Sequence, residues 1–303
     1  MLRTERPQTL PNPHQVLRMH GLRAKKSLGQ NFLTDPNIPP QIARSGGLRK
    51  GDVVFEIGAG CGTLTHCLGD LATRVIALEY DDDLAPIAEA ELHYAPHVEI
   101  RRGDIRDLDW SDIADEVGQP LVIYGNLPYY LSSDILLALL ASPTSWRRAC
   151  FLVQREFAQR VCAPPGDRKA GSISALTHLL TYPSMLFEVS PECFSPAPKV
   201  TSAVMVLERR DEWAEDVGDL KTFRHVVRSI FAQRRKMARS ALRGAHPNPE
   251  ELLISLGLKP TQRGERFTLA ELAQISRALS RPVEGKLSAP VESASDSDAD
   301  ADV

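Results

Sequence analysis

Val53-Val54-Phe55-Glu56-Ile57-Gly58-Ala59-Gly60-Cys61-Gly62-Thr63-Leu64-Thr65 is the stretch on which the fold of this chain turns. Its opening run, apolar apart from Glu56 and rich in β-branched side chains, reads as a buried strand. Gly58, Gly60 and Gly62 follow, and Leu64, Cys67, Leu68 and Leu71 then recur at helical spacing. Strand, glycine turn and helix open a nucleotide-binding βαβ unit, where glycine lets the backbone approach a ligand with positive φ. Taken alone, the stretch also suits a tight turn in an unrelated α/β enzyme.

Spacing narrows the ligand. A dinucleotide fingerprint is GxGxxG, with a small third residue so that a helix start can cradle a pyrophosphate. Here the glycines fall as GxGxG, and Thr63 stands where that pattern wants Gly or Ala. A second strand, Arg74 to Glu79, ends in a carboxylate that can accept from both hydroxyls of a ribose. An adenosine-containing ligand without a pyrophosphate is expected, and S-adenosylmethionine fits. A third strand, Val98 to Arg101, ends at Gly103-Asp104. Asp104 is then either a turn acid or an acceptor for the adenine amino group, since ligands bind beyond the carboxyl ends of such strands.

The next strand, Leu121 to Tyr124, runs into Gly125-Asn126-Leu127-Pro128-Tyr129-Tyr130. An exocyclic base amine is a poor nucleophile because its lone pair is delocalised into the ring. Two acceptors on its hydrogens favour a pyramidal, nucleophilic nitrogen. Asn126 Oδ1 and the Leu127 carbonyl can supply them if Pro128 fixes the turn. Tyr129 offers a face for the base to stack on, typically worth ~1–3 kcal/mol. A helix from Ser133 to Ala141 and a strand from Cys150 to Gln154 continue the alternation. Phe194-Ser195-Pro196-Ala197-Pro198-Lys199-Val200 is a stiff loop, in which Phe194 is either packing or the second wall of a base pocket. A last strand, Ala203 to Leu207, is expected to close the sheet.

On the amino-terminal side, residues 1–22 hold Pro7, Pro11 and Pro13 without apolar periodicity, and a mobile arm is expected. Lys25-Lys26-Ser27-Leu28-Gly29-Gln30-Asn31-Phe32-Leu33 is a basic loop placed to lid the cofactor. On the carboxyl side the pattern turns helical from about Asp219. Arg224, Arg228, Arg235, Arg239 and Arg243 align on a face opposite the apolar one, reading as a solvated face or an RNA phosphate-tracking surface. Thr268-Leu269-Ala270-Glu271 is a capping box for a final helix. Beyond Pro282 the Ser/Asp/Ala composition cannot bury enough to fold.

Composition sets outer limits. The net charge is −3, but residues 283–303 hold six acids and one base. Without them the 39 acids fall to 33 and the 36 bases to 35, leaving a body of +2, so any nucleic-acid site must be local. Five cysteines form no CxxC, and the eight histidines no HExxH, so no metal site is expected. The longest apolar run, Ile135 to Ala141, is too short for a bilayer, and no signal segment appears. A cytoplasmic protein with no membrane association is expected.

Together these motifs resemble the bacterial small-subunit ribosomal RNA adenine N6,N6-dimethyltransferases, the KsgA/RsmA family. The resemblance runs from about Arg23 to Leu279 and rests on four motifs: Lys26 to Leu33, Glu56 to Gly62, Asn126 to Tyr129, and Phe194 to Val200. Arg234-Arg235-Lys236 extends it. It implies a Rossmann-like class I S-adenosylmethionine-dependent methyltransferase, with a seven-stranded sheet whose last strand is antiparallel and a small C-terminal helical domain. Residues 23–210 and 211–282 would be these two domains. Cofactor contacts carry over to Asn31, Leu33, Gly58, Glu79, Asp104 and Asn126; Asn126, Leu127, Tyr129 and Phe194 would form the catalytic site. The implied reaction dimethylates two adjacent adenosines in a hairpin near the 3′ end of small-subunit RNA, late in subunit assembly, within a pre-30S-like particle and by a monomer. The alternatives are the related large-subunit RNA methyltransferase of the antibiotic-resistance type, and a non-catalytic assembly or transcription factor. A DNA adenine methyltransferase is disfavoured by Leu127, where Pro is usual. Cys61 departs from the family pattern, which more often has a bulkier apolar residue there.

Overall fold

The structure, a computed structural model, describes residues 4–232 and 236–280. Arg235, the segment 283–303 and the first residues of the expected arm lie outside the described residues. In chain order the strands are β1 (Phe32–Leu33), β2 (Val53–Ile57), β3 (Arg74–Glu79), β4 (Val98–Arg102), β5 (Leu121–Asn126), β6 (Trp146–Gln154), β7 (Thr181–Val189), β8 (Phe194–Ser195) and β9 (Ser202–Arg209). The helices are α1 (Pro13–Met19), α2 (Ile38–Ser45), α3 (Thr63–Gly69), α4 (Ala85–Leu92), α5 (Trp110–Val117), α6 (Ser132–Ala141), α7 (Arg155–Cys162), α8 (Ser172–Leu180), α9 (Leu220–Ala232), α10 (Ala238–Ala241), α11 (Pro249–Ser255) and α12 (Leu269–Ser280).

Seven strands form one sheet in the order β4-β3-β2-β5-β6-β9-β7, with β9 antiparallel to both neighbours. The order reverses between β2 and β5, and a crevice opens at such a switch point. Period-two alternation splits the strand side chains between two covered faces. Phe55, Ile123, Phe151 and Met205 belong to one buried cluster, while Val54, Val122, Leu152 and Val206 belong to the other. Burial on both sides explains why β2 reads as a nearly unbroken apolar run. β1 and β8 pair outside this sheet, Leu33 opposite Phe194.

Three expectations need correction. β9 is the last strand and antiparallel, as the resemblance implied, but it enters between β6 and β7 and does not close the edge. The edge belongs to β7, which no sequence pattern marks. It carries Pro183, a register shift between Met185 and Phe187, and exposed Tyr182, Met185 and Leu186, so it lacks clean alternation.

The segment expected as a mobile arm contains α1, capped by the Asn12 side chain. Its Val16 and Leu17 are buried with Phe32, Cys61, Leu84 and Ile87. Adjacent Val16 and Leu17 in a seven-residue helix cannot show a helical period, yet they suffice to dock it.

The C-terminal helices share the core of the sheet: Phe223, Ile230, Leu272 and Ile275 lie in the same cluster as Phe157 and Leu179. Finally, the arginines are not on one continuous helix, because Lys236 and Met237, between α9 and α10, are not helical and Met237 bridges to Arg263. The capping box does form, with Thr268 N–H donating to Glu271 Oε2 at 2.8 Å and Glu271 N–H to Thr268 Oγ1 at 3.3 Å.

Candidate active site

The carboxyl ends of β2, β3, β4 and β5 converge on one open cavity. Gly58, Gly60 and Gly62 have φ of +82°, +57° and +78°, values that side chains disfavour. A Cβ on Gly58 would meet nothing within 4 Å, so its backbone faces open space in the cavity wall. Gly58 N–H donates to Leu78 O at 2.8 Å, which fixes the turn against β3.

Glu79 and Asp104 both line this cavity. Glu79 is only 7% exposed; its Oε2 accepts from Gly60 N–H at 2.7 Å and its Oε1 from Asp81 N–H at 2.8 Å. A carboxylate has about four acceptor positions, so each oxygen can take one more donor, as a ribose diol requires. Burial pushes the Glu79 carboxyl above the usual range, and the amides of Asp81, Gly60 and Tyr80 oppose that. Asp104 Oδ2 meets Arg106 Nη2 at 2.5 Å, and this fork holds the carboxyl below the usual range. Arg106, which belongs to none of the sequence motifs, thus lies at the acid expected to face adenine. Only its place two residues after Asp104 could have signalled it.

On the other wall, Asn126 ends β5 and Leu127, Pro128 and Tyr129 follow it. A Cβ on Gly125 would sit 2.7 Å from Leu127 Cδ2 and 3.0 Å from Ile57 O, so the turn folds back tightly on β2. Leu127 is buried and its N–H donates to Leu152 O at 3.0 Å, leaving its carbonyl as an acceptor. Asn126 Nδ2 donates to Asn31 O at 3.0 Å, so Oδ1 is the atom left to accept from a base amine. Tyr129 hydroxyl and Ser202 Oγ are 2.6 Å apart, fixing the ring from a strand 73 residues away.

The structure brings Asn31, Gly58, Glu79, Asp104, Asn126, Leu127 and Tyr129 together around one space. Leu33 and Phe194 are not in its wall: they are 6% and 4% exposed, face each other across the β1–β8 ribbon and lie in a buried cluster. In this structure Phe194 packs in the ribbon and does not line the cavity. Of the arginines, Arg224 donates to Leu140 O at 3.1 Å and Arg239 pairs with Glu250 at 3.0 Å. Arg228 and Arg243 are exposed. Among the described residues no group of His, Cys, Asp and Glu could hold a metal, and no helix is long and apolar enough to cross a membrane.

Beneath the glycine turn, Glu56 is 1% exposed. Its Oε2 and the Thr65 hydroxyl lie near each other, yet neither makes a well-formed hydrogen bond. Burial pushes this carboxyl up to about 8 from its ordinary 4.5. Between those values the folded chain keeps a proton that the unfolded chain releases, so stability falls as pH rises through this window and levels off above it. Glu56→Gln should remove that loss. Its stability relative to the parent is expected to climb by up to ~1.4 kcal/mol per pH unit across the window. Urea titrations of both proteins at several pH values check this; an unchanging difference would disprove a protonated Glu56.

The family model described as ribosomal RNA adenine dimethylase matches residues 21–280. Ribosomal RNA small subunit methyltransferase A of Anaeromyxobacter dehalogenans (strain 2CP-C) is 40% identical over 281 residues, covering 89% of this chain and 98% of that one. Its counterpart from Agrobacterium fabrum (strain C58 / ATCC 33970) is 38% identical over 276 residues, with the same coverage. Among solved structures, the 23S rRNA methyltransferase ErmE superposes with a TM-score of 0.66 at 26% identity, over 83% of this chain and 100% of that one. A dimethyladenosine transferase from Plasmodium falciparum gives 0.69 at 21% identity, over 80% and 95%, and so speaks for the fold.

Proposed function

Because the chain belongs to the ribosomal RNA adenine dimethylase family, we propose that it dimethylates N6 of two adjacent adenosines in a hairpin near the 3′ end of small-subunit ribosomal RNA. S-adenosylmethionine is the methyl donor, and the enzyme acts late in biogenesis of that subunit. One observation carries the reading: the glycine turn, Glu79, Asp104 and the Asn126-Leu127-Pro128-Tyr129 turn line a single cavity at the sheet's switch point.

When bound, the cofactor supplies an electrophilic methyl on a sulfonium. Gly58 gives its backbone close approach, Glu79 accepts from the ribose and Asp104 from the adenine amine. Asn31 lines the cavity between the two walls, and Leu33 supports it from the ribbon. On the substrate side, Tyr129 stacks the base, while Asn126 Oδ1 and the Leu127 carbonyl hold its two amino hydrogens. The nitrogen lone pair is thereby directed at the methyl, a gain from orientation and preorganised electrostatics. No cysteine is poised for a covalent path. Burial pushes the Cys61 thiol up to about 12 and also raises Cys193.

Small-subunit RNA is favoured over large-subunit RNA by 40% identity to the former class of enzyme against 26% to ErmE. Mapping N6-dimethyladenosine on ribosomal RNA from cells with and without the protein tests this. Loss confined to adjacent small-subunit adenosines is expected; loss from large-subunit RNA would transfer the assignment, and no loss would leave an assembly factor. The preferred substrate is an assembling pre-30S-like particle met in the cytoplasm by a monomer, and activity on free RNA against that particle checks it.

Arg228 and Arg243, with Arg235 and the partly engaged Arg224 and Arg239, are assigned to RNA phosphates. Arg228→Gln with Arg243→Gln should weaken binding of all RNA sequences and lower the salt slope by about 0.7–0.9 per lost contact. An unaltered slope returns them to a solvated face.

A further inference from the structure

The acid that follows Glu79 by two residues is tied into the site from two directions. In the sequence Asp81 reads as part of an acidic helix start, yet it is 3% exposed and both its oxygens are in use. Oδ1 accepts from Lys25 Nζ at 2.6 Å and from Asp83 N–H at 3.0 Å. Oδ2 accepts from Gln30 Nε2 at 2.7 Å. Lys25 Nζ also reaches Asp83 Oδ2 at 2.7 Å, and Lys25 N–H donates to Gln30 Oε1 at 2.8 Å. Burial alone would push the Asp81 carboxyl up, but Lys25, Gln30 and the Asp83 amide outweigh it and hold the group below the usual range.

These bonds fasten one end of the segment from Lys25 to Asn31, whose Leu28, Gly29, Gln30 and Asn31 form a wall of the cavity. The other end meets the catalytic turn, where Asn31 O receives Asn126 Nδ2. Asp81 also touches the cofactor side directly, because its N–H donates to Glu79 Oε1. An exposed lysine pair would contribute little. Here one partner is a buried carboxylate, and losing its cation leaves that charge poorly compensated.

We propose that Asp81 is a positioning residue for methyl transfer: by holding Lys25 and Gln30 it sets the Asn31 carbonyl that aims the Asn126 amide. This rests on the roles given above to Asn126 and Glu79. The strap explains why a basic residue and an amide stand five residues apart just ahead of Asn31. Lys25 supplies charge and reach, and Gln30 supplies a donor to Asp81 and an acceptor to the Lys25 backbone.

The test uses the full chain with Asp81→Asn, Lys25→Met and both together. Asparagine keeps the size but loses the charge and one acceptor. Cofactor affinity is expected to weaken about tenfold in either single variant, because the cavity wall from Leu28 to Asn31 and the Asp81 N–H that orients Glu79 lose their anchor. Turnover at saturating cofactor and RNA should also fall about tenfold, because the Asn126 amide is no longer aimed. The double variant should be no worse than the poorer single one, since both remove the same tie. Turnover at saturation is the reading that a purely structural Asp81 would not move. If Asp81→Asn does not fold, Lys25→Met, at the exposed end of the tie, carries the test. Unchanged saturated turnover in Lys25→Met, or single effects that simply add, would overturn the proposal. A parent protein that neither binds S-adenosylmethionine nor methylates RNA would instead overturn the function on which it rests.

Discussion

Asn126→Ala is expected to lower turnover by ~100-fold or more while RNA affinity stays nearly unchanged. The substitution removes the Oδ1 acceptor from the base amine and also the Nδ2 bond to Asn31 O. Both losses concern orientation of the reacting nitrogen, and neither touches the arginine surface proposed to contact phosphates. Asn126→Asp should fall between the two. It retains an acceptor for the amine, but a carboxylate cannot donate to the Asn31 carbonyl and is repelled by it. Cys61→Ser and Cys193→Ser should both remain active if the transfer is direct, since burial raises both thiols and disfavours the thiolate. Single-turnover rates with saturating cofactor settle the matter. Parental turnover in Asn126→Ala, or a folded but inactive cysteine variant, would rule this mechanism out.

The second large effect is on the cofactor. Glu79→Ala should weaken S-adenosylmethionine binding by at least ~1.5–3 kcal/mol, about 10- to 150-fold. The loss is double. The ribose loses its acceptor, and the amides of Gly60 and Asp81 lose the carboxylate oxygens that now satisfy them at 2.7 and 2.8 Å. Burial raises the carboxyl of Glu79, so in the parent protein acidification should weaken binding at a higher pH than an ordinary glutamate would require. Calorimetry on both proteins measures each point. Equal affinity would remove Glu79 from the site, and tight NAD binding would overturn the choice of cofactor.

Two parts of the site are legible in the residue pattern because local backbone chemistry dictates them. Glycines at 58, 60 and 62 are needed where φ is positive, and a Gly-Asn-Leu-Pro-Tyr run after an apolar strand has few other uses. Strand ends that carry Glu79 and Asp104 follow from the βαβ pattern, since consecutive parallel strands present their carboxyl ends on the same side. Arg106, Ser202 and Asp81 are not legible in this way. Asp81 acts through Lys25, 56 residues away, and Ser202 through Tyr129, 73 residues away, while Arg106 belongs to no motif although its partner Asp104 is only two residues off.

Sequence by itself determined the nucleotide-binding sheet, the kind of cofactor and the base-side turn, because each is encoded by residue types at fixed short spacing. Tertiary structure alone decided the rest. β7 became an edge strand although Pro183 and its exposed apolar residues hide the alternation; pairing with β9 on one side is what orders it. Phe194 went into the ribbon core because Leu33 lies opposite it. The arginine row, even in its periodicity, was divided between helices, with Arg239 neutralised by Glu250 and Arg224 turned to Leu140 O. Periodicity records which face a residue would occupy on a helix; whether that helix continues, and which charge folds back against it, depends on contacts between distant segments.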